Sequence, residues 1–208
     1  MSYSPKPKLV FDHIAIVARS LDEGVDYVRD QLGIEMPPGG QHPFMGTHNR
    51  LLALNETEFL EVIAIDPDAQ RPDRPRWFGL DHFDGTPKIG TWILGSPDIA
   101  ESFDKAHDRI IDMTRGDLKW QITIADDGVL ASDGAFPQLI QWPQGPHPAG
   151  KMVKQNCRLH SFKIVHPEAL KINEFVDDAL VDTRISIVQG DVSFEAVFET
   201  PNGLKTLT

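Results

Sequence analysis

The sequence predicts an α+β fold in which strand–helix–strands units repeat along the chain and their antiparallel sheets curve around a cleft. Three observations carry this. A β-rich run followed by an amphipathic helical pattern opens the chain. The pattern returns with its apolar positions displaced by a constant interval, Leu21 to Ile99, Val25 to Phe103, Val28 to Ala106 and Leu32 to Ile110. Strand-like runs follow each helix.

In the first unit Leu9 to Val17 form the strand. Ser20 is the expected N-cap, with Glu23 completing a capping-box signature. Leu21, Val25, Val28 and Leu32 then make one apolar helix face, and Gly33 supplies the stop. The runs THNRLLALN and EFLEVIAID follow as strands, turning at Asn55 to Thr57. In the second unit the strand is Ile89 to Leu94, with Ser96 as N-cap and Pro97 at the first helical position. Ile99, Phe103, Ala106 and Ile110 repeat the helix face, which predicts a full helix here. DLKWQITIA and AFPQLIQWP are the strands that follow. A weaker third copy begins at Cys157, with Pro167 matching Pro97 and Ile172, Phe175, Val176 and Ala179 as helix positions. TRISIVQG and VSFEAVFET complete it. Pro-rich and charged stretches mark the linkers, giving units at 9–66, 88–142 and 159–200, with 67–87 and 143–158 between them. The last unit is expected to pack on the same domain.

Composition narrows the function. With 208 residues, 40% of them hydrophobic, the chain can bury a core unaided. Its net charge of -11 argues against nucleic acid as a partner. No apolar run approaches the ~20 residues a membrane helix needs, and MSYSPKPK lacks the apolar region of a secretory signal. Cys157, the single cysteine, cannot form an internal disulfide and reads as a small buried residue. A soluble cytoplasmic protein is the expectation. There is no Gly-rich phosphate loop, G-x-S-x-G, H-E-x-x-H or C-x-x-C, so no nucleotide cofactor and no serine-hydrolase chemistry are expected.

The stretch GGQHPFMGTHNR, Gly39 to Arg50, concentrates two histidines, Asn49 and a Gly-rich loop ahead of a strand. Together with FDHIAIV at the start and IQWPQGPHP after the second unit, it makes the chain resemble the glyoxalase-like family of the vicinal oxygen chelate superfamily, over nearly its whole length. The resemblance implies βαβββ modules, a cup-shaped sheet with helices outside, and a divalent metal (Zn, Ni, Mn or Mg) held by the first and last strands of each module. By position, His13 and Glu61 would be the ligands of the first module, Thr91 and Gln141 those of the second. Thr91 is a poor ligand and Gln141 brings no charge. Extradiol dioxygenase chemistry, which takes two His and one Glu around Fe(II), is therefore rejected, and glyoxalase I chemistry loses half its ligand set.

Each residue also has a structural reading. His13 is a ligand or acid–base group in the cup, or a hydrogen-bonded core histidine on a face shared with Phe11, Ala15 and Val17. Glu61, flanked by Phe59 and Ile63, needs a partner, a metal or a raised pKa, unless Arg50 pairs with it. His48 and Asn49 point to opposite faces, so one of them faces the cup, His48 together with Arg50 or Asn49 alone. His42 sits in the loop over the cup, either touching substrate or exposed to solvent. Trp77, Phe78, Trp92, Trp120 and Trp142 are core candidates, with Trp92 and Trp142 able to wall a pocket. His107 reads as exposed on the second helix, and His147 and His166 as parts of turns. Two functions follow. One is a lyase or isomerase acting on a small oxygenated molecule, with His13 and Glu61 binding metal or exchanging protons, Thr91 and Gln141 bonding substrate, and the Gly39–Asn49 loop as cover. The alternative is a binding protein that has lost catalysis and sequesters a small ligand in the same cup. Either works as a monomer or a homodimer.

Overall fold

The computed structural model describes residues 7–103 and 108–208. The first unit is β1 (Val10–Val17), α1 (Leu21–Leu32), β2 (Gln41–His42), β3 (Thr47–Ala53) and β4 (Phe59–Ile65). The second is β5 (Lys88–Gly95), α2 (Ile99–Ser102), β6 (Asp108–Arg115), β7 (Leu118–Ala125) and β8 (Gln138–Gln141). These strands form one mixed sheet in the order β2-β3-β4-β1-β5-β8-β7-β6. In each half the last strand runs parallel to the first, β4 beside β1 and β8 beside β5, and an antiparallel β1–β5 pairing joins the halves. The sheet curls until its outermost strands, β2 and β6, come into contact. This is the α+β cup.

The α1 helix forms as its sequence dictates. Ser20 Oγ accepts from the Glu23 amide at 3.3 Å. Gly33 closes the helix in the left-handed region at φ 69°, its amide donating to Arg29. The Glu23 carboxylate accepts from Arg19 on the exposed surface. Val28 and Leu32 are fully buried.

The second half departs from expectation. Its helix is a single turn capped by Asp98, whose side chain accepts from the Glu101 amide. Ser96 instead accepts from the Asp98 amide and bonds Ser102. Ile110, expected on a helix face, lies in β6. There Ile110, Ile111 and Thr114 suit a strand. Gly116, at φ 56°, lets β6 turn back onto β7. Hydrogen bonding along the β6–β7 hairpin outweighed the helical periodicity. Ala106 and His107 lie outside the described residues.

The third unit has its own sheet, ordered β10-β9-β11-β12, from β9 (Arg158–Val165), β10 (Ile185–Val188), β11 (Ser193–Thr200) and β12 (Gly203–Leu207). Here α3 (Ala169–Val176) leads into a strand parallel to β9, unlike the first two units, in which the fourth strand is the parallel one.

Alternation along the strands divides the core. Ile14, Ile16, Leu60, Val62, Trp92 and Leu94 face α1 and the C-terminal sheet. Ala15, Val17, Ile63, Ile93, Ile122 and Ile140 face into the cup. The stretch 67–87, read as linker, contributes Trp77, Phe78 and Leu80 to the filling of the cup. Phe11 breaks the alternation. A register shift between Phe11 and His13 sends Phe11 to the outer core, away from the face it was expected to share with His13.

Trp92 joins the two sheets. It is fully buried, donates from Nε1 to the Ala135 carbonyl at 2.8 Å, and meets Phe162 of β9 edge to face at 6.0 Å. Trp92→Ala should destabilise the protein by about 3–5 kcal/mol, read as a lower denaturant midpoint.

Candidate functional site

At the floor of the cup is a buried chain of polar side chains. Asp12, 2% exposed, accepts three hydrogen bonds: from His13 Nδ1 at 2.6 Å, from Trp142 Nε1 at 2.9 Å and from His147 Nε2 at 3.1 Å. His147 Nδ1 accepts from the Ala149 amide, so its ring donates to Asp12 through Nε2. The His13 ring stacks on Phe59, 4.2 Å between centroids, and presents Nε2 to Glu61 Oε2 at 3.6 Å, an ion-pair separation. Glu61 Oε1 accepts from Asn49 Nδ2 at 2.6 Å. Asn49 Oδ1 accepts from the Gly40 amide at 2.9 Å and from Arg115 Nη1 at 3.2 Å. His42 Nε2 lies 3.4 Å from the same Arg115 nitrogen, and its Nδ1 is 3.2 Å from Thr47 Oγ1.

Local sequence explains how these groups converge. His13 and Glu61 come from the neighbouring parallel strands β1 and β4, on the face turned into the cup. Gly39 lies flat on Asn49, and a Cβ there would stand 1.8 Å from the Asn49 carbonyl oxygen. Gly40 leaves room for Arg115, whose Cδ would be 2.8 Å from a Cβ at that position. The paired glycines are therefore needed for close approach. Arg115, the last residue of β6, crosses the seam between the edge strands to reach β2 and β3.

The electrostatics follow from burial and pairing. Burial works to neutralise Asp12, but the hydrogen bonds from His13 and His147 outweigh it and lower its pKa. Burial also works against a charged His13. The bond to Asp12 and the Glu61 carboxylate prevail, raising His13 to about 9. Burial opposes the Glu61 charge too, yet His13, His42 and Asn49 together exceed it and lower the Glu61 pKa. At neutral pH the centre is a carboxylate–imidazolium–carboxylate array. His42 behaves oppositely: burial, assisted by Arg115 and His48 and opposed by Glu61, lowers it to about 4.

His13, Glu61, Asn49, His42 and Arg115 border a narrow cavity of about 40 Å³, walled by Phe59, Trp77, Trp120, Ile122, Ile140 and Trp142. A space of that size admits a few waters or one small polar group. Among the residues expected to act, the structure brings His13, Glu61, Asn49 and His42 together here. It leaves the others elsewhere. Strand parity turns Asn49 inward and carries His48 and Arg50 to the opposite face. Among the described residues His48 Nε2 has no hydrogen-bond partner, although the atom is buried. Glu61 pairs with His13 and Asn49, not with Arg50. Thr91 is fully buried and donates to the Gly134 carbonyl. Gln141 Oε1 accepts from the Ile99 amide at the start of α2, one parity step from the inward-facing Ile140 and Trp142. By register the counterpart of Glu61 is Gln138: Ala15 pairs with Glu61, and Ile93, one repeat interval on from Ala15, pairs with Gln138. Trp92 belongs to the outer core, whereas Trp142 walls the cavity.

Sequence reasoning missed Asp12, Arg115 and His147. Asp12 alternates away from His13 in an ideal strand. Arg115 lay in the unassigned stretch between an expected helix ending at Ile110 and a strand beginning at Asp117. His147 read as a turn residue.

A resident divalent metal does not fit these side chains. His13 Nε2 and Glu61 offer two donors. His147 is bonded to Asp12, Thr91 and Gln141 are bonded elsewhere, and the Arg115 guanidinium adds positive charge. Among the described residues no group of three or more His, Cys, Asp and Glu side chains is placed to hold an ion. Nor is any helix among them long and apolar enough to cross a membrane. Cys157 is buried and its thiol pushed up to about 12, which leaves it unreactive.

A nearly closed eight-stranded cup with a polar floor defines a vicinal oxygen chelate fold. The glyoxalase-like domain model matches residues 11–180, and the chain belongs to that family. A hypothetical protein from Staphylococcus aureus shares the fold at 17% identity and a TM-score of 0.61, covering 89% of this chain and 88% of its own. A methylmalonyl-CoA epimerase in complex with methylmalonyl-CoA and NH4+ aligns at 21% identity and a TM-score of 0.45, over 70% of this chain and 100% of its own. The methylmalonyl-CoA epimerase from Mycobacterium tuberculosis aligns at 18% identity and a TM-score of 0.43, over 70% of this chain and 93% of its own. No curated protein sequence matches the chain.

The charge pattern predicts a stability optimum. His13, raised from 6.5 to about 9, contributes stability that is complete below pH 6.5 and lost as pH rises through about 9. His42, lowered from 6.5 to about 4, makes the fold lose stability as pH falls below 6.5. The melting temperature should therefore peak near pH 6.5, the ordinary value of both rings. Asp12→Asn should flatten the alkaline side and His42→Asn the acid side. An unchanged alkaline side in Asp12→Asn contradicts the assignment.

Proposed function

We propose that the cavity is the active site of a lyase or isomerase-type enzyme that moves a proton at a carbon beside a carbonyl group, in a small oxygenated molecule. The observation that carries this reading is His13, fixed by Asp12 on one nitrogen and offering the other to Glu61 inside a cavity. Glu61, ionised at neutral pH, takes the proton from carbon. The His13 imidazolium donates to the carbonyl oxygen as negative charge develops there. Asp12 keeps His13 in the right tautomer and stabilises its cation. Asn49 orients Glu61. The apolar walls exclude water, which strengthens every charge in the site. No resident metal enters the scheme.

Sequestration of a ligand without chemistry is the second reading, favoured by the neutral side chains Thr91 and Gln138 in the second half. Deuterium incorporation separates the two. The protein is incubated in D2O with pyruvate or hydroxyacetone, and loss of the C–H signal is followed by NMR. Exchange above background should fall by about 10²–10⁴-fold in Glu61→Gln and survive treatment with a chelator. Its rate should decline above a pH of about 9 as His13 loses its proton, and that decline should move to lower pH in Asp12→Asn. Absence of exchange with either compound rejects the catalytic reading; exchange abolished by chelator rejects the metal-free one.

A further inference from the structure

Among the described residues, Arg115 is the one charged cavity group that the acid–base chemistry leaves unused. Its guanidinium reaches the cavity from the far edge of the sheet, yet among the described residues no carboxylate lies within ion-pair distance of it. Its hydrogen-bond partners are two neutral acceptors, Asn49 Oδ1 at 3.2 Å and His42 Nε2 at 3.4 Å, and both engage the single nitrogen Nη1. Glu61 attracts it across the cavity but is already held by His13 and Asn49. An arginine closing a seam for structural reasons alone would be expected to take a carboxylate partner, because a partly buried guanidinium is costly without one. Among the described residues the rest of its donor fork has no protein partner, and that fork has the geometry that matches a planar carboxylate with two parallel hydrogen bonds.

We propose that Arg115 is a substrate-binding residue that holds the carboxylate of a small 2-oxo acid, with the 2-oxo oxygen delivered to His13 and the C–H carbon beyond that carbonyl delivered to Glu61. This rests on the acid–base reading and adds the substrate class to it. The arrangement has the required order. Asn49 touches Arg115 with its oxygen and Glu61 with its nitrogen, so the anion-binding and proton-moving groups are separated by one amide. The cavity, about 40 Å³, suits a small polar group of the size of a carboxylate. Trp120, a cavity wall, gives the flat carboxylate and carbonyl an aromatic surface to lie against. The bound anion also balances the guanidinium, which has no ion-pair partner of its own among the described residues.

Titration of the full-length, 15N-labelled protein tests this, following the tryptophan indole N–H signals. The probes are pyruvate and hydroxyacetone, which have the same carbon count and differ in charge. Pyruvate should bind at least about tenfold more tightly, the preference a charge-assisted pair supplies. Arg115→Met should erase the preference, Arg115→Lys should keep part of it, and Glu61→Gln should bind pyruvate at least as well while losing exchange. Equal affinity for the two probes, or no binding of either to the native protein, overturns the proposal without recourse to a variant. Unchanged pyruvate affinity in a folded Arg115→Met does the same. Arg115-dependent binding of pyruvate without exchange would sink the acid–base reading and leave this one standing. Exchange of hydroxyacetone and pyruvate at equal affinity would do the reverse.

Discussion

The buried Asp12 carboxylate is the constraint around which the site is arranged. An ionised carboxylate held at 2% exposure is destabilising by on the order of several kcal/mol unless it is fully bonded. The chain meets this cost with three N–H donors from three separate places: the next residue, the end of the second half, and the connection to the third unit. Each donor is fixed in return. His13 acquires one tautomer and a retained proton. Trp142 is turned edge-on to His147, 5.4 Å between ring centroids, which closes one wall of the cavity. The segment carrying His147 is drawn over the cup instead of trailing into solvent.

From that anchor the two halves of the sheet separate in role. The first half supplies charge, through Asp12, His13 and Glu61. At equivalent positions the second half has Thr91 and Gln138, each bonded to its own surroundings. What the second half brings to the cavity is apolar surface from Trp120, Ile122 and Ile140, and one cation, Arg115, that arrives only because the sheet curls until its edges meet. The geometry of an internally repeated fold is kept here while its chemistry becomes one-sided. Gly39 and Gly40 make the curl possible at the site, since side chains there would collide with Asn49 and Arg115.

Much of this could be read in the sequence, and what could not has physical causes. The first strand and helix were readable because cap, apolar face and stop agree at Ser20, Val28, Leu32 and Gly33. Parity alone showed that His48 and Asn49 could not both face inward; the inward choice needed the tertiary fold. The second helix was misjudged because Ile99, Phe103, Ala106 and Ile110 satisfy helical spacing, while the pairing of β6 with β7 lies beyond what an apolar count along one element can register. Arg115 lay beyond that helix, in the unassigned stretch before Asp117, and only the hairpin and the curl of the sheet bring it to the cavity. Asp12 was hidden by a register shift, which breaks the rule that neighbours on a strand point apart. Gln141 was misplaced by a few residues along β8, enough to put it on the wrong face. His147 had no local signal at all, since its role comes from a carboxylate 135 residues earlier.

The same charges decide how the site relates to metal-binding members of the superfamily. A metal needs the neutral form of an imidazole ligand, so any ion binding His13 competes with a proton. With His13 raised to about 9, that competition weakens metal capture at neutral pH by about a hundredfold, on top of the missing ligands of the second half. The two carboxylates flanking the ring still require positive charge between them. The imidazolium provides it, stacked on Phe59, where a cation is favoured over the ring face. A charge that is a proton can be passed to substrate oxygen, whereas a metal's charge can only polarise it. On the proposed chemistry, the means of stabilising an enolate in this chain has therefore moved from Lewis acid to Brønsted acid, and Asp12 is the residue whose burial makes that exchange workable.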